Sequence, residues 1–177
     1  MRIVAGRWGG RRIAAPRGGA TRPTSDRVRE AVFSILGDLV DYARVLDLFA
    51  GSGALGLEAL SRGAAAAVFV DSAPAAARAV RANLDALGVE AEVVRADAVV
   101  ALRNAARAGH QYDLVLLDPP YRRAAALAPA LGAGLSAVLA PGARVVAESD
   151  RRAPLDLPLP LLDERRYGDT LIRFHSP

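Results

Sequence analysis

The sequence of 177 residues contains no cysteine and only two histidines, His110 and His175. Without cysteine the chain has no disulfide, no thiolate zinc site, no iron–sulfur cluster and no cysteine nucleophile. Two histidines are too few for a histidine-rich metal site, so we expect no bound metal. A chain of this length is enough for one domain of ordinary size, whose core needs no such support.

Long hydrophobic segments are lacking as well. The segment from Met1 to Arg12 carries four arginines and no apolar run of the length that a signal peptide needs. Residues 124–143 carry no charge, but two prolines and three glycines interrupt them, which favours a helix, a turn and a strand over a membrane span. We therefore expect a cytoplasmic protein that does not contact a membrane.

Lysine is absent too, and all 23 basic residues are arginine. This bias is typical of a high-GC genome, so we assign no function to a single arginine on that ground. The distribution of charge is more informative, because the net charge is +4 while residues 1–29 carry +7 and the remaining residues −3. A basic N-terminal segment on a mildly acidic body indicates a polyanionic partner.

Short apolar runs alternate with helical patterns from residue 24 to the C-terminus, which predicts an α/β fold. We expect a doubly wound parallel sheet with a C-terminal antiparallel hairpin and a small N-terminal β extension. Residues 1–20, here called the arm, would form that basic β-hairpin, and residues 21–177 the main domain. The predicted helices span residues 24–37, 54–61, 74–87 and 99–108, and the predicted strands span residues 45–49, 67–70, 92–95, 114–117, 144–148, 161–166 and 170–174.

A glycine-rich segment follows the first predicted strand. Gly51, Gly53 and Gly56 fit the pattern G-x-G-x-x-G, and Asp71 ends the next strand about twenty residues later. Glycines allow backbone N–H groups to approach a ligand closely, and a carboxylate at that distance accepts both hydroxyls of a ribose. The pattern predicts a nucleotide site, and alone it does not separate NAD from S-adenosylmethionine (SAM).

A second motif, Asp118-Pro119-Pro120-Tyr121, ends the fourth predicted core strand on the same edge of the sheet. The prolines lack N–H groups and favour extended backbone, so the carbonyl groups there are free acceptors. Asp118 and the Pro119 carbonyl can each accept one N–H of a planar exocyclic amine, and Tyr121 can stack on the base that carries it. Two acceptors favour a pyramidal nitrogen whose lone pair points at a methyl donor, so positioning can supply much of the rate.

The segment from Asp47 to Gly53 and the D-P-P-Y motif together resemble the amino-directed class I SAM-dependent methyltransferases. Residues 22–30, R-P-T-S-D-R-V-R-E, and the run from Gly51 to Gly63 are similar to the bacterial 16S rRNA guanine-N2-methyltransferase family (RsmD type). The resemblance covers essentially the whole chain. It implies a Rossmann-like class I methyltransferase sheet, SAM as cofactor, and transfer of a methyl group to the exocyclic N2 of a guanine in 16S rRNA.

The resemblance also implies a role for each matching residue. Asp71 would bind the ribose hydroxyls, where the family often has glutamate, and Asp97, beside Ala98, would accept the adenine amino group. The methionine end of SAM would lie against Asp47, Phe49, Ala50, Gly51, Ser52 and Gly53, and the guanine against Asp118, Pro119, Pro120 and Tyr121. The lack of cysteine excludes methylation of pyrimidine carbon 5 through a cysteine adduct.

The arginines near the N-terminus are the candidate RNA-binding residues. Arg22, Arg27 and Arg29 would line the entrance to the target pocket, although Arg27 could instead pair with Glu30. We interpret Glu58 and Arg62, which have i, i+4 spacing, as structural. Phosphates would be bound by Arg2, Arg7, Arg11, Arg12 and Arg17, with Trp8 either stacking on RNA or packing on the body.

The expected partner is 16S rRNA, which the resemblance implies is met in an assembling small ribosomal subunit, and nothing in the sequence requires more than a monomer. One alternative is an adenine-N6 methyltransferase acting on DNA or RNA, which shares the D-P-P-Y motif. An NAD-dependent oxidoreductase would explain the glycine loop but gives no role to residues 118–121. A non-catalytic RNA-binding module would leave the whole predicted cofactor site unexplained.

Overall fold

The computed structural model describes residues 1–16, 24–120 and 124–177. Within them the strands are β1 (Arg44–Leu48), β2 (Ala66–Val70), β3 (Glu92–Val94), β4 (Tyr112–Leu117), β5 (Leu139–Asp150), β6 (Leu161–Tyr167) and β7 (Thr170–His175). They form one sheet in the order β3-β2-β1-β4-β5-β7-β6. β1 to β5 run parallel, and β7 is antiparallel to both β5 and β6. The predicted α/β doubly wound sheet with a C-terminal antiparallel hairpin is therefore confirmed.

The helices in the described residues are α1 (Asp26–Leu36), α2 (Ala54–Ser61), α3 (Pro74–Leu87), α4 (Ala98–Arg107) and α5 (Ala124–Ser136). The predicted helix over 74–87 matches α3, which begins at a proline that has no N–H to leave unpaired. The helix predicted from residue 24 begins two residues later because Ser25 has extended backbone and caps it: its hydroxyl accepts from the Val28 N–H at 3.3 Å.

β5 is longer than the strand predicted over residues 144–148. It begins at Leu139, which pairs with Tyr112 before an irregularity in the register between β4 and β5. From Arg144 onward the register is regular, and Leu117 lies beside Ala147. The carboxyl ends of β4 and β5 therefore lie side by side.

Apolar side chains cover both faces of the sheet, as expected for a parallel sheet between two helical layers. Leu114 and Leu116 of β4 pack on one face with residues of α1, α2 and α3, while Val115 and Leu117 pack on the other with residues of α4 and α5. In the described part of the chain, no helix is both long and apolar enough to cross a membrane.

The described part of the arm, residues 1–16, packs on the body. Its backbone forms a single antiparallel bridge between Arg2 and Arg12 around a short 3₁₀ turn, rather than the two paired strands of a full hairpin. Ile3, Trp8 and Ile13 are buried in the same apolar cluster as α1, α2 and α3. The predicted boundary at residue 20 lies outside the described residues and stays a prediction.

Buried polar groups on α2 hold the arm in place. The Glu58 carboxylate accepts from the backbone N–H groups of Val4 at 2.7 Å and Ala5 at 3.0 Å, and it pairs with Arg62 at 2.7 Å. The structural role predicted for Glu58 and Arg62 is confirmed, and the contact with the arm was not predicted. Gly6 is required beside them, because a Cβ atom there would lie 1.9 Å from the Ser61 carbonyl oxygen.

We expect Glu58→Gln to loosen the arm. The NH2 of the side-chain amide would face one of the two backbone N–H groups and leave Arg62 without its charged partner, so the free energy of unfolding should fall by on the order of 3 kcal/mol. Chemical unfolding measures that loss, and limited trypsin digestion should show faster cleavage after Arg7, Arg11 and Arg12. The matched control is Glu30→Gln on the exposed side of α1. Equal protease resistance of both variants would contradict the anchoring role.

Candidate active site

A cleft of about 390 Å³ lies at the carboxyl ends of the parallel strands. The chain passes from β1 to β2 and β3 on one side and from β4 to β5 on the other, so the cleft sits where the strand order reverses. Most of the predicted cofactor and target residues line it together, namely Asp47, Phe49, Ala50, Gly51, Ser52, Asp71, Asp97, Ala98, Asp118 and Pro120. Pro119 and Gly53 do not line its wall, and Tyr121 lies outside the described residues.

The loop between β1 and α2 is held in an uncommon conformation. Phe49 has a φ of +64°, which is rare for a residue with a side chain and is found mainly where surrounding contacts enforce it at functional sites. Gly56, in the first turns of α2, lies so close to β1 and β2 that a Cβ atom would meet the Phe69 ring at 2.4 Å. Its backbone N–H therefore reaches Asp47 Oδ2 at 2.9 Å.

Two carboxylates fix the far side of the cleft. Asp71 accepts from the backbone N–H groups of Gly51 at 2.9 Å and Ala73 at 2.8 Å, which ties the glycine loop to the end of β2. Asp97 caps α4 and accepts from the Val99 N–H at 2.9 Å. Because an ionised carboxylate offers about four lone-pair positions, each group can also accept from a ligand.

Three acidic side chains meet at the other side of the cleft. Leu116 lies beside Asp47 and Val146 in the sheet, and since alternate residues share a face, Asp118 and Glu148 lie on that same face. Burial, together with the negative charges of Glu148 and Asp47, holds the pKa of Asp118 well above its usual range. No group of three or more acidic, histidine or cysteine side chains in the described ranges is arranged to hold a metal ion.

Sequence reasoning missed Thr24, which lines the cleft, and Glu148, which bonds with Thr24 and does not itself line the cleft. Glu148 is only 4% exposed, and its Oε2 accepts from the Thr24 hydroxyl at 2.5 Å. Thr24 itself lines the cleft. The sequence signal that could have identified Glu148 is a carboxylate directly after the apolar run Val145-Val146-Ala147, at the same end of its strand as Asp118.

Burial raises the pKa of Asp47 to about 7, and the charge of Asp71 contributes in the same direction.

Trp8 packs on the body, which is one of the two alternatives that the sequence leaves open, and the prediction that Arg29 binds RNA is wrong in this structure. Trp8 is 7% exposed, its backbone N–H donates to Ser61 Oγ at 2.9 Å, and its ring belongs to the core, which leaves no face for a base. The Arg29 guanidinium is fully buried and donates to the Thr24 carbonyl, the Arg2 carbonyl and the Asp26 carboxylate. Arg29 is an internal clamp between the arm and α1.

The other described arginine candidates are exposed. Arg2 pairs with Asp26 at 2.8 Å, Arg7 lies over the Trp8 ring at 5.4 Å, and Arg11 donates to the Ala86 carbonyl at 2.9 Å. Arg12 and Arg27 are exposed as well. Arg17 and Arg22 lie outside the described residues. An RNA-binding role for these arginines stays a prediction.

Comparison with known proteins gives consistent matches. The family described as Conserved hypothetical protein 95 matches residues 1–176. Ribosomal RNA small subunit methyltransferase D of Escherichia coli (strain K12) is 44% identical over 124 residues, which cover 70% of this chain and 61% of that protein. The protein of the same name from Haemophilus influenzae is 33% identical over 181 residues, which cover 99% of this chain and 93% of that protein. The solved structure of a hypothetical protein of Thermus thermophilus is 34% identical with a TM-score of 0.85, over 100% of this chain and 99% of that chain.

The raised pKa of Asp47 gives a pH-dependent stability. Between its ordinary value of 3.8 and about 7, the folded protein binds more protons at this group than the unfolded chain, so stability falls as pH rises through that range. Asp47→Asn keeps an oxygen for the Gly56 N–H and removes the charge. The Tm of the variant should therefore exceed that of the wild type at pH 8, and the two should converge near pH 4. Asp85→Asn, exposed on α3, is the control, and a destabilised Asp47→Asn protein at pH 8 would contradict the assignment.

Proposed function

This chain belongs to the Conserved hypothetical protein 95 family, and we propose that it transfers a methyl group from SAM to the exocyclic N2 of a guanine in 16S rRNA. The relatives named above are small subunit rRNA methyltransferases of bacteria. The alignment with the Escherichia coli protein spans less than two thirds of that protein.

The observation that carries the proposal is that two separate motifs face one cleft. The glycine loop with Asp71 and Asp97 forms one side, and Asp118 with Pro120 forms the other. A cofactor bound by the first group would present its reactive end to a base bound by the second. A cleft of about 390 Å³ is of the size that small ligands occupy.

The donor groups of SAM match the acceptors of the cleft. SAM carries an ammonium group, a ribose diol and an adenine amino group, and Asp47, Asp71 and Asp97 offer one carboxylate to each. When bound, SAM supplies an electrophilic methyl group on a positively charged sulfur. A cation is favoured beside Asp47, Asp118 and Glu148, whereas the pyrophosphate of NAD would be repelled there.

The target amine would be held at the end of β4. In this proposal the Asp118 carboxylate accepts one N–H and directs the nitrogen lone pair toward the glycine loop, while the Pro119 carbonyl, which does not line the cleft wall, stays a predicted second acceptor. The ionised Asp118 carboxylate is the stronger acceptor, so the raised pKa of this group predicts that methyl transfer weakens as the solution becomes acidic.

The RNA would approach over the arm. Arg2, Arg7, Arg11 and Arg12 are exposed on a segment whose residues Met1, Ala15 and Pro16 also line the cleft. We propose that the substrate is an assembling small ribosomal subunit in the cytoplasm, where other components present the base. A single copy of the chain carries both motifs, so we propose that it acts as a monomer.

Asp118→Ala tests the chemistry of the site. Loss of one acceptor on the amine should lower methyl transfer by about 100-fold or more, because positioning supplies the rate, while SAM binding is retained. Calorimetry with SAM measures binding, and mass mapping of methylated nucleotides in small subunits identifies the product. Methylation at adenine N6 in the wild type would replace the proposed function with the adenine alternative, and undiminished turnover of the variant would remove Asp118 from the chemistry.

The arm is tested by the salt dependence of RNA binding. Replacing Arg7, Arg11 and Arg12 by glutamine should weaken binding to small subunits and lower the slope of log K against log salt by roughly 0.7–0.9 for each lost phosphate contact. The charge-matched control replaces Arg103, Arg107 and Arg144, which lie on α4 and at the start of the regular part of β5. Equal slopes in the two triple variants would exclude a direct role of the arm.

A further inference from the structure

We infer that the arm forms one wall of the cofactor site and that Asn83 is the residue that positions it there. The arm then contributes to the binding of SAM before any RNA is bound, although the sequence pattern predicts only an RNA contact for it. This inference rests on the proposed function, because it takes SAM as the ligand of the cleft.

The arm reaches the cleft at both ends of its described part. Met1, Ala15 and Pro16 line the cleft, as does Ser52 of the glycine loop. The two ends of the arm are joined to each other, since the Met1 carbonyl accepts from the Ile13 N–H at 3.1 Å. Met1 also meets the glycine loop directly, because the Ser52 hydroxyl donates to its sulfur at 3.2 Å. A ligand that fills the cleft beside Ser52 therefore lies next to the arm.

Asn83 of α3 joins the same two segments through one side-chain amide, which is 3% exposed. Its Nδ2 donates to the Ser52 carbonyl at 2.9 Å and to the Ala14 carbonyl at 3.0 Å, and its Oδ1 accepts from the Ala14 N–H at 2.8 Å. Both N–H donors of the amide are thus used. Because Asn83 holds both backbone groups of Ala14, it sets the path of Ala15 and Pro16 along the cleft.

Close packing gives Asn83 a fixed position under the glycine loop. Val80, one turn earlier on α3, is fully buried, and a Cβ atom on Gly53 would lie 3.2 Å from its Cγ2. An aspartate in place of Asn83 would turn oxygen atoms toward two carbonyl oxygens, and a leucine would make no hydrogen bond. The amide is therefore required for its donors and its acceptor together, not for its volume.

A segment that adds to the binding of a ligand is in turn held in place by that ligand, because the coupling between two sites is reciprocal. Since the arm borders the cofactor, bound SAM or its demethylated product stabilises the docked arm. Release of the arm is measurable at Arg11 and Arg12, which are exposed trypsin sites two or three residues before Ala14. The inference therefore has two independent readouts, ligand affinity and protection of the arm.

Asn83→Leu tests the affinity. The dissociation constant of S-adenosylhomocysteine (SAH), measured by calorimetry without RNA, should rise by about 10-fold, which is the scale of one lost hydrogen bond. The matched control is Asn104→Leu, exposed on α4, which should leave the affinity unchanged. Circular dichroism at the temperature of the titration establishes that both variants are folded, so unfolding does not account for a difference.

Trypsin digestion tests the reciprocal effect. In the wild type, saturating SAH should slow cleavage after Arg11 and Arg12 by about 10-fold or more, but cleavage after Arg107, exposed at the end of α4, by less than about 2-fold, because cleavage follows the population of the opened segment. In Asn83→Leu the protection of the arm should fall to that of Arg107. A merely structural Asn83 would lower the overall stability and leave the difference between the two sites unchanged.

Unchanged SAH affinity in the folded leucine variant overturns the inference, as does equal protection of the arm and of Arg107 in the wild type. If Asn83→Leu does not fold, the digestion of the wild type decides, since it needs no variant. Failure of the proposed function has a different signature: SAH binds and protects the arm, but no guanine of the small subunit gains a methyl group at N2.

Discussion

The burial of carboxylates at the ends of adjacent strands sets the conditions for the rest of the site. Asp47, Asp118 and Glu148 share one face of the sheet, and the pKa values of Asp47 and Asp118 are raised by their burial and by neighbouring acids. Backbone and hydroxyl donors offset part of this cost, namely the Gly56 N–H on Asp47 and the Thr24 hydroxyl on Glu148. A ligand that brings positive charge or N–H donors adds to the compensation, so the cleft itself favours one class of ligand.

Hydrogen bonds between segments that are distant in sequence hold the walls of this cleft together. Asn83 of α3 donates to the carbonyl groups of Ser52 and Ala14 and accepts from the Ala14 N–H, so one buried amide links the arm to the glycine loop. Arg29 links Thr24 to Arg2 in the same way near the target side. The arm is therefore part of the wall of the cleft, so a partner that contacted the arm would act on residues bonded to the glycine loop.

Local patterns predicted the elements and both motifs, because capping residues, apolar periodicity and glycine turns act over a few residues. The helix over 74–87 and the loop from Asp47 to Gly53 follow from such signals. Trp8 was left between two roles and Arg29 was misassigned because their partners, Ser61 and the Arg2 carbonyl, come from other parts of the chain. A tryptophan among exposed arginines looks the same in sequence whether it faces RNA or fills a gap against α2.

The same distinction separates the reaction class from the choice of base. Asp118 and the prolines after it form a local unit whose acceptors suit an exocyclic amine, and nothing within that unit tells guanine from adenine. The neighbouring acceptor is supplied by β5, thirty residues further along the chain, and is fixed by Thr24, which precedes α1. The arrangement of these side chains thus depends on strand register and on one long-range hydrogen bond, which motif analysis does not detect. The described part of the block at residues 22–30 consequently has a physical role: it places Thr24 on Glu148 at the wall of the cleft, and Arg29 under the arm.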